Sequence, residues 1–446
     1  MSDQHDIFNV GRLKDCAELA LQASRDEGAE AAEVDVAVDT GLSVTVRLGE
    51  VETVERQRDR SLDITLYFGK HKGNASTTDL DAAAIRRTAR AAADIARYTA
   101  EDPYAGLAPA GRMATRFPDL DLCHPWKLSP EEAIELALRC ETAARDADAR
   151  IVNSEGASVD SGHGLSVYAN THGFVGVREG TRHDASCVVV AGDSNGMQRD
   201  YWYTTARARE DLEDVVHVGR EAARRALARL GAKPLSTRKA PILFAPEVAK
   251  SLVGHLLGAI SGRAQYMQAS FLLDAAGSTV MPAWTKLVEQ PHLPRAAGSR
   301  SFDDEGVATV DRAIIDGGVL TGYLLGSYSA RRLGLESTAN AGGISNLAVE
   351  PGGEQPGAPM KALDTGFYVT ELIGQGVNPV TGDYSRGAAG FWVEHGEIVH
   401  PVEEVTIAGN LKDMLAGIVT IGADIDTRGS IRTGSILIDR MTIAGE

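Results

Sequence analysis

Between residues 10 and 230 the chain passes twice through one order of periodicities: a helical repeat, a stretch of alternating apolar residues, and a second helical repeat. Apolar residues every three or four positions build one face of a helix, and alternation with a period of two builds one face of a strand. This order therefore restricts the region to helices packed on antiparallel meanders. In the first pass Leu13, Cys16, Leu19, Ala20 and Ala23 carry helical spacing over Val10 to Glu27. Strand-like alternation follows at Val34, Val36 and Val38, then at Leu42, Val44, Val46 and Leu48, then at Leu62, Ile64, Leu66 and Phe68. Asp79 opens an Ala-rich helix to about Tyr98, and Asp102-Pro103 stops it.

The second pass begins at Ser129, where Ser129, Pro130 and Glu132 supply an N-cap, a proline at the first helical position and a reciprocal capping carboxylate. That helix reaches Ala149, and alternating segments follow around Ala157, at Leu165 to Tyr168, at Phe174 to Val177 and at Cys187 to Val190. A closing helix spans Asp211 to Leu230. Two such units imply an internal structural duplication, although few residues coincide between them.

Gly231 to Lys239, with Pro234 inside it, divides the chain into residues 1–235 and 236–446. From Ala240 onward the texture changes to Gly-rich short strands around one helix, Pro246 to Ser261. A second short helix from about Tyr328 to Leu333 ends at Gly334. Asp316-Gly317-Gly318 and Glu394-His395-Gly396 read as hairpin turns. A chain of 446 residues exceeds what one core supports. The expected fold class is α+β: an N-terminal domain of helix and β-meander units followed by a β-rich C-terminal domain.

The balance of 45 basic against 62 acidic residues gives a net charge of -17, which repels phosphate backbones and anionic lipid, and no basic cluster offsets it. Neither nucleic acid nor a membrane is expected as a partner. Met1 to Cys16 has no apolar core of signal-peptide length, and no run approaches the roughly 20 apolar residues of a membrane span, so a cytoplasmic location is expected. Cys16, Cys123, Cys140 and Cys187 lie far apart with no CxxC and no metal-like spacing, the pattern of reduced structural thiols.

No phosphate loop, dinucleotide fingerprint, G-x-S-x-G elbow or HExxH occurs in the chain. The helix containing Ser251 to Gly258 has one histidine, His255, with no histidine or glutamate a turn away. It cannot present two imidazoles and a general base on one face. His255, flanked by Leu252 and Leu256, reads either as a packed histidine or as a groove residue, and His292 belongs to a proline-rich turn. Asp303-Asp304-Glu305-Gly306 lacks the alternating acids of an EF-hand loop and reads as a solvated turn entering a strand. Asn340-Ala341-Gly342-Gly343 and Gly374-Gln375-Gly376-Val377-Asn378 are glycine loops, either plain connections or places where backbone approaches a peptide closely. The groove candidates are thus His255, Asn340, Gly342, Gly343 and Asn378; no catalytic residue and no metal ligand is assigned.

Several long, ordered segments resemble the PmbA/TldE proteins: Pro246 to Ala249, Gly254 to Gly262, Ser270 to Asp274, Phe302 to Thr309, Tyr323 to Leu325, Tyr328 to Arg331, Thr338 to Gly343 and Gly387 to Glu394. Glu101 to Leu107 extends the likeness into the first half. The resemblance implies a two-domain partner of a TldD-type subunit, the pair acting on unfolded or leader-bearing peptides in the bacterial cytoplasm. In such pairs a helical HExxxH motif and a cysteine of the TldD-type chain hold zinc. Here the corresponding helix reads Gly254-His255-Leu256-Leu257-Gly258 and no cysteine follows Cys187. Zinc is therefore expected in the partner and no cofactor in this chain, with a homodimer when the partner is missing. Two competing expectations are an autonomous metallopeptidase using His255, His292 and nearby carboxylates, and a non-enzymatic regulator of the gyrase-modulator type.

Overall fold

One strand of 17 residues, β1 (Ala31–Arg47), serves both helix–meander units. The computed structural model describes residues 8–194, 196–352 and 357–445, so the first seven residues of the stretch read for a signal sequence lie outside the described residues. α1 (Val10–Asp26) leads into β1, β2 (Glu50–Phe68) and β3 (His71–Thr77), closed by α2 (Ala82–Tyr98). α3 (Pro130–Arg145) leads into β4 (Ile151–Asn170), β5 (Val175–Asp193) and β6 (Gly196–Ala206), closed by α4 (Val215–Ala228). The strands form one six-stranded antiparallel sheet ordered β3-β2-β1-β4-β5-β6, the two meanders meeting where β1 pairs with β4.

Val34, Val36, Val38, Leu42 and Val44 are all buried and all at even positions, so they face the helical layer together. The first three pack under α1 and α2 with Leu62, Ile64 and Leu66. Leu42, Val44 and Val46 pack under α3 and α4 with Val159, Cys187 and Val189. The two alternating segments expected as separate strands are therefore one strand. The apolar pattern lapses at Thr40-Gly41 because the covering helices change there from one pair to the other. Leu48 is not part of β1: it takes φ +53 in the turn to β2, where its N–H and that of Gly49 donate to the buried Glu141 carboxylate at 2.7 and 2.8 Å.

The segments around Ala157 and at Leu165 to Tyr168 likewise merge into β4, and Val175 to Val177 and Cys187 to Val190 lie along β5. β6 was not expected, because the residues it buries are the polar Gln198, Asp200 and Thr204. Helix ends move by a few residues. Asp79 precedes α2 and accepts from the Asp81 N–H at 3.0 Å, and α3 stops at Arg145. The Ser129 hydroxyl accepts from the Glu132 N–H at 3.1 Å, while the Glu132 carboxylate pairs with Arg209 instead of completing the box. α4 starts behind Asp214, whose carboxylate accepts from the Val216 N–H.

The C-terminal half runs β7 (Arg238–Phe244), α5 (Pro246–Ala259), α6 (Gly262–Tyr266), β8 (Leu287–Glu289), β9 (Arg312–Asp316), β10 (Val319–Leu320) and α7 (Ser327–Leu333). It continues through β11 (Leu347–Val349), α8 (Ala358–Leu363), β12 (Gly366–Ile373), β13 (Asp383–Glu394) and β14 (Glu397–Asn410). It ends with α9 (Leu411–Ala416), β15 (Ile418–Ile421), β16 (Ile431–Arg432) and β17 (Ile436–Ala444). One sheet is ordered β14-β13-β12-β7-β17-β15, and the pairing of β14 with β17 closes five of these strands into a ring. A second sheet, β10-β9-β8-β11-β16, shares the same apolar core with α5.

Both hairpin turns occur, with φ +56 and +77 at Gly317 and Gly318 and φ +54 and +77 at His395 and Gly396. The helix read as reaching Ser261 stops at Ala259, and the Ser261 hydroxyl caps α6 by accepting from the Ala264 N–H at 3.3 Å. Two six-residue helices, α8 and α9, were not foreseen, being too short for a helical period to show.

Two side chains are among those that lock the halves together. Phe302 packs edge-on to Phe174 and Phe117 at centroid distances of 5.3 and 6.0 Å, and Gly176 leaves room for its ring. The Arg331 guanidinium donates to the carbonyls of Tyr104, Leu107 and Gly106 at 2.6, 3.1 and 2.7 Å. That fork explains why Glu101 to Leu107, a segment without regular structure, is held in one place.

Candidate functional site

α5 buries Leu252, Val253, Leu256 and Leu257 and turns two glycines the other way. Side chains four apart share a helix face, so Gly254 and Gly258 form one bare strip; no atom lies within 4 Å of where either Cβ would be. The strip ends in a groove of about 550 Å³ whose walls include Leu257, Gly258, Tyr266, Glu305, Tyr328 and Gly342.

The opposite wall is the loop at 340–343, held by buried polar groups. The Asn340 side-chain amide donates to Glu289 at 2.9 and 3.1 Å, and its carbonyl accepts from Arg312 at 2.9 Å and from the Thr338 hydroxyl at 2.7 Å. Glu289 also accepts from the Ser345 N–H at 2.8 Å. Gly342 has φ +80 and a Cβ there would lie 1.9 Å from Asp304, so only glycine fits. The fully buried Asp303 carboxylate accepts from the N–H groups of Glu305, Val307 and Ala341 at 3.0, 2.9 and 3.1 Å, tying two loops together. Burial pushes Asp303 up to about 6, and those N–H groups oppose a larger rise. Glu305 accepts from the Ser327 N–H at 2.8 Å at the start of α7.

Asn340, Gly342 and Gly343 thus stand on the groove wall, but the Asn340 side chain is consumed in holding the loop. His255 is not on that wall. Its ring meets Tyr384 edge-on at 6.0 Å and its buried Nε2 has no hydrogen-bond partner. Burial, then the nearby Arg386 guanidinium, lowers its pKa, which favours the neutral imidazole. Asn378 forms an exposed turn, accepting from the Val380 and Thr381 N–H groups at 2.9 and 3.3 Å. His292 Nε2 meets the Thr309 hydroxyl at 3.1 Å. The groove offers one carboxylate and a bare helix strip; its residues do not fit a hydrolytic metal.

On the sheet face away from the helices lies a larger cleft of about 1110 Å³, lined by Glu33, Asp35, Asp39, Asp63, Arg178 and Glu305 among others. Asp35 stands directly opposite Asp63, and Asp39 opposite Asp59, in the β1–β2 register. Like charges facing across strands destabilise a sheet. Burial first, with neighbouring carboxylates adding, pushes Asp35 up to about 6 against the pull of Arg178.

Three family models match in order: PmbA/TldA metallopeptidase domain 1 over residues 32–96, the central domain over 123–230 and the C-terminal domain over 237–445. The chain belongs to the PmbA/TldD family. Among its relatives in that family, Metalloprotease PmbA of Escherichia coli O157:H7 is 52% identical over 96% of this chain and 94% of its own. The Metalloprotease PmbA homolog of Haemophilus influenzae is 46% identical over 97% and 96%. A Bacteroides thetaiotaomicron protein provisionally described as a modulator of DNA gyrase superposes with a TM-score of 0.92 at 28% identity, covering 97% of this chain and 99% of that one. TldE from Thermococcus kodakarensis shares the fold, with a TM-score of 0.84 at 20% identity, covering 96% and 100%.

The PmbA/TldD family descriptions name a metallopeptidase, which sharpens the contrast with the bare strip of α5. Among the described residues, the group of His, Cys, Asp and Glu donors close enough to share one ion is Cys123, His163 and Glu179, at the edge of the cleft. Cys123, read from the sequence as a structural thiol without metal-like spacing, stands beside these two donors. Its partners stand 40 and 56 positions away and are brought near each other by the β4–β5 register, a pairing that spacing in the sequence does not show. No helix among the described residues is long and apolar enough to cross a membrane.

Proposed function

We propose that this chain is the subunit without the hydrolytic metal in a two-chain peptidase: a TldD-type partner supplies zinc, and the α5 groove helps to hold an unfolded or leader-bearing peptide. The observation that carries this reading is the Gly254–Gly258 strip, where an α5 built for zinc would need donors. With no side chains on the strip, peptide backbone can come close to the helix, and the glycine loop at 340–343 gives the same access from the other wall. A folded domain does not enter such a groove, whereas an extended chain does. The four unpaired cysteines suit a reducing, cytoplasmic setting.

The test is to purify this chain alone and co-expressed with a TldD-type chain, and to assay both preparations on an unfolded fluorogenic peptide. The pair is expected to cut and this chain alone to leave the peptide intact. Chelator-sensitive cleavage by the isolated chain would overturn the reading in favour of an autonomous metallopeptidase. Co-purification with gyrase and not with the TldD-type chain would favour the modulator reading suggested by the gyrase-modulator description of the Bacteroides protein.

A further inference from the structure

Cys123 lies within the loop between Phe117 and α3, His163 is in β4 and Glu179 is in β5. Their ligand atoms all fall within 4.8 Å of one another. Cys123 Sγ is 3.5 Å from His163 Nε2, and the same Nε2 is 2.9 Å from Glu179 Oε1. We infer that Cys123, His163 and Glu179 bind one divalent transition-metal ion of the zinc class, its fourth coordination position open to the cleft.

The geometry separates this from a nucleophilic relay. In a relay the acid holds one ring nitrogen and the thiol meets the other, so that a proton can cross the imidazole. Here thiol and carboxylate converge on a single nitrogen, which passes nothing between them but is how donors surround an ion. The spacing also fits. Zinc bonds of about 2.3 Å to sulfur and about 2.0–2.1 Å to nitrogen, at tetrahedral angles, set S and N about 3.6 Å apart, close to the 3.5 Å seen between Cys123 and His163. A nitrogen and a carboxylate oxygen on the same ion stand about 3.3 Å apart, so Glu179 must retreat slightly from its 2.9 Å. Its side chain is 39% exposed and free to do so.

The donor set and the surroundings point the same way. Sulfur with imidazole selects zinc-like ions over magnesium or calcium, which prefer oxygen alone. The His163 ring stacks on Phe8 with centroids 3.7 Å apart and planes 17° apart, which fixes the orientation of its nitrogens. Cys123 and Glu179 line the acidic cleft, whose carboxylates at Asp35, Asp39 and Asp63 favour a cation. Three protein ligands with one position facing a cavity is the open kind of zinc site, where water or a donor from a bound peptide completes the set. This inference goes beyond the peptidase reading, because the three residues lie on the N-terminal sheet and not on the α5 groove.

The full-length chain, stripped with chelator, is titrated with Zn²⁺ and separately with Co²⁺. One equivalent is expected to bind, and cobalt should produce a thiolate charge-transfer absorption band. Cys123→Ser should abolish the band, and Cys123→Ser and His163→Ala should each weaken Zn²⁺ binding by more than the ~100-fold at the upper end of what an outer-shell change costs. Glu179→Gln, nearly isosteric, should weaken it as well and serves if a bulkier change unfolds the protein. Zn²⁺ should raise the melting temperature of the natural chain and leave that of Cys123→Ser unmoved, the metal-free melts showing that both are folded. Absence of saturable binding, or binding that survives both Cys123→Ser and His163→Ala, overturns the inference. In the first case the peptidase reading stands; binding that is lost instead in His255→Ala overturns that reading too.

Discussion

Behind the groove wall and in the cleft stands, in each case, a carboxyl pushed up to about 6 by burial, and the two are stabilised in opposite ways. Asp303, buried behind the groove wall, accepts three backbone N–H groups and so organises the loops around it. Asp35, in the cleft, faces Asp63 across the strands, and its carboxylate has no hydrogen bond among the described residues. The first carboxylate is structural, because one buried and two partly buried donors depend on it. The second is a cost the fold carries, of the kind expected where a surface is kept charged for a ligand.

Substitutions sharpen that contrast. The largest effect is expected at the groove: Gly342→Val forces a β-branched residue to φ +80 and drives its side chain into Asp304. Strain and overpacking together should remove about 3–5 kcal/mol, read as a lowered denaturant midpoint. Asp303→Ala leaves one buried and two partly buried N–H groups without their acceptor and should cost about 2–4 kcal/mol at neutral pH. Equal stability of that variant and the natural chain would break the comparison.

Asp35→Asn should move stability the other way. The folded pKa of Asp35 is raised to about 6, so between the ordinary carboxylate value and 6 the folded state holds the extra proton. Stability contributed by this group therefore falls as pH rises through that window. The asparagine variant should gain about 1–2 kcal/mol at pH 7 and nothing below about pH 4, measured by chemical denaturation at both pH values. Gly258→Leu should change stability least, by up to about 1 kcal/mol in favour of the helix, since the space beside it is open. It should nevertheless lower peptide cleavage by the two-chain complex. Undiminished cleavage would separate the groove from substrate binding.

Much of the fold was legible because local chemistry sets it. Ser129 before Pro130 marks a helix start, and Gly334, in the left-handed conformation at φ +67, ends α7 where the sequence places it. What stayed hidden depends on contacts between distant elements. β1 reads as two strands until the second helical pair is known to take over the covering at Leu42. β6 hides because it buries Gln198, Asp200 and Thr204 instead of apolar residues. In the site, the glycine loop at 340–343 was visible as glycine, but the reason for Asn340, a buried network with Glu289 and Arg312, was not. His255 carried the one histidine signal on α5 and yet faces Tyr384, because a helical position beside two buried leucines turns inward.

The shared strand β1 also governs what happens if the chain is divided. Its partner β4 covers it from Glu33 to Val46, and the repeat-like layout invites cutting the gene between the two units. Such a cut would leave a fourteen-residue row of backbone donors and acceptors uncovered on each fragment, a template for adhesion between copies. Each fragment made singly is expected to precipitate, and the two made together to recover solubility. Two units joined along a common ladder in this way are not separable by simple scission.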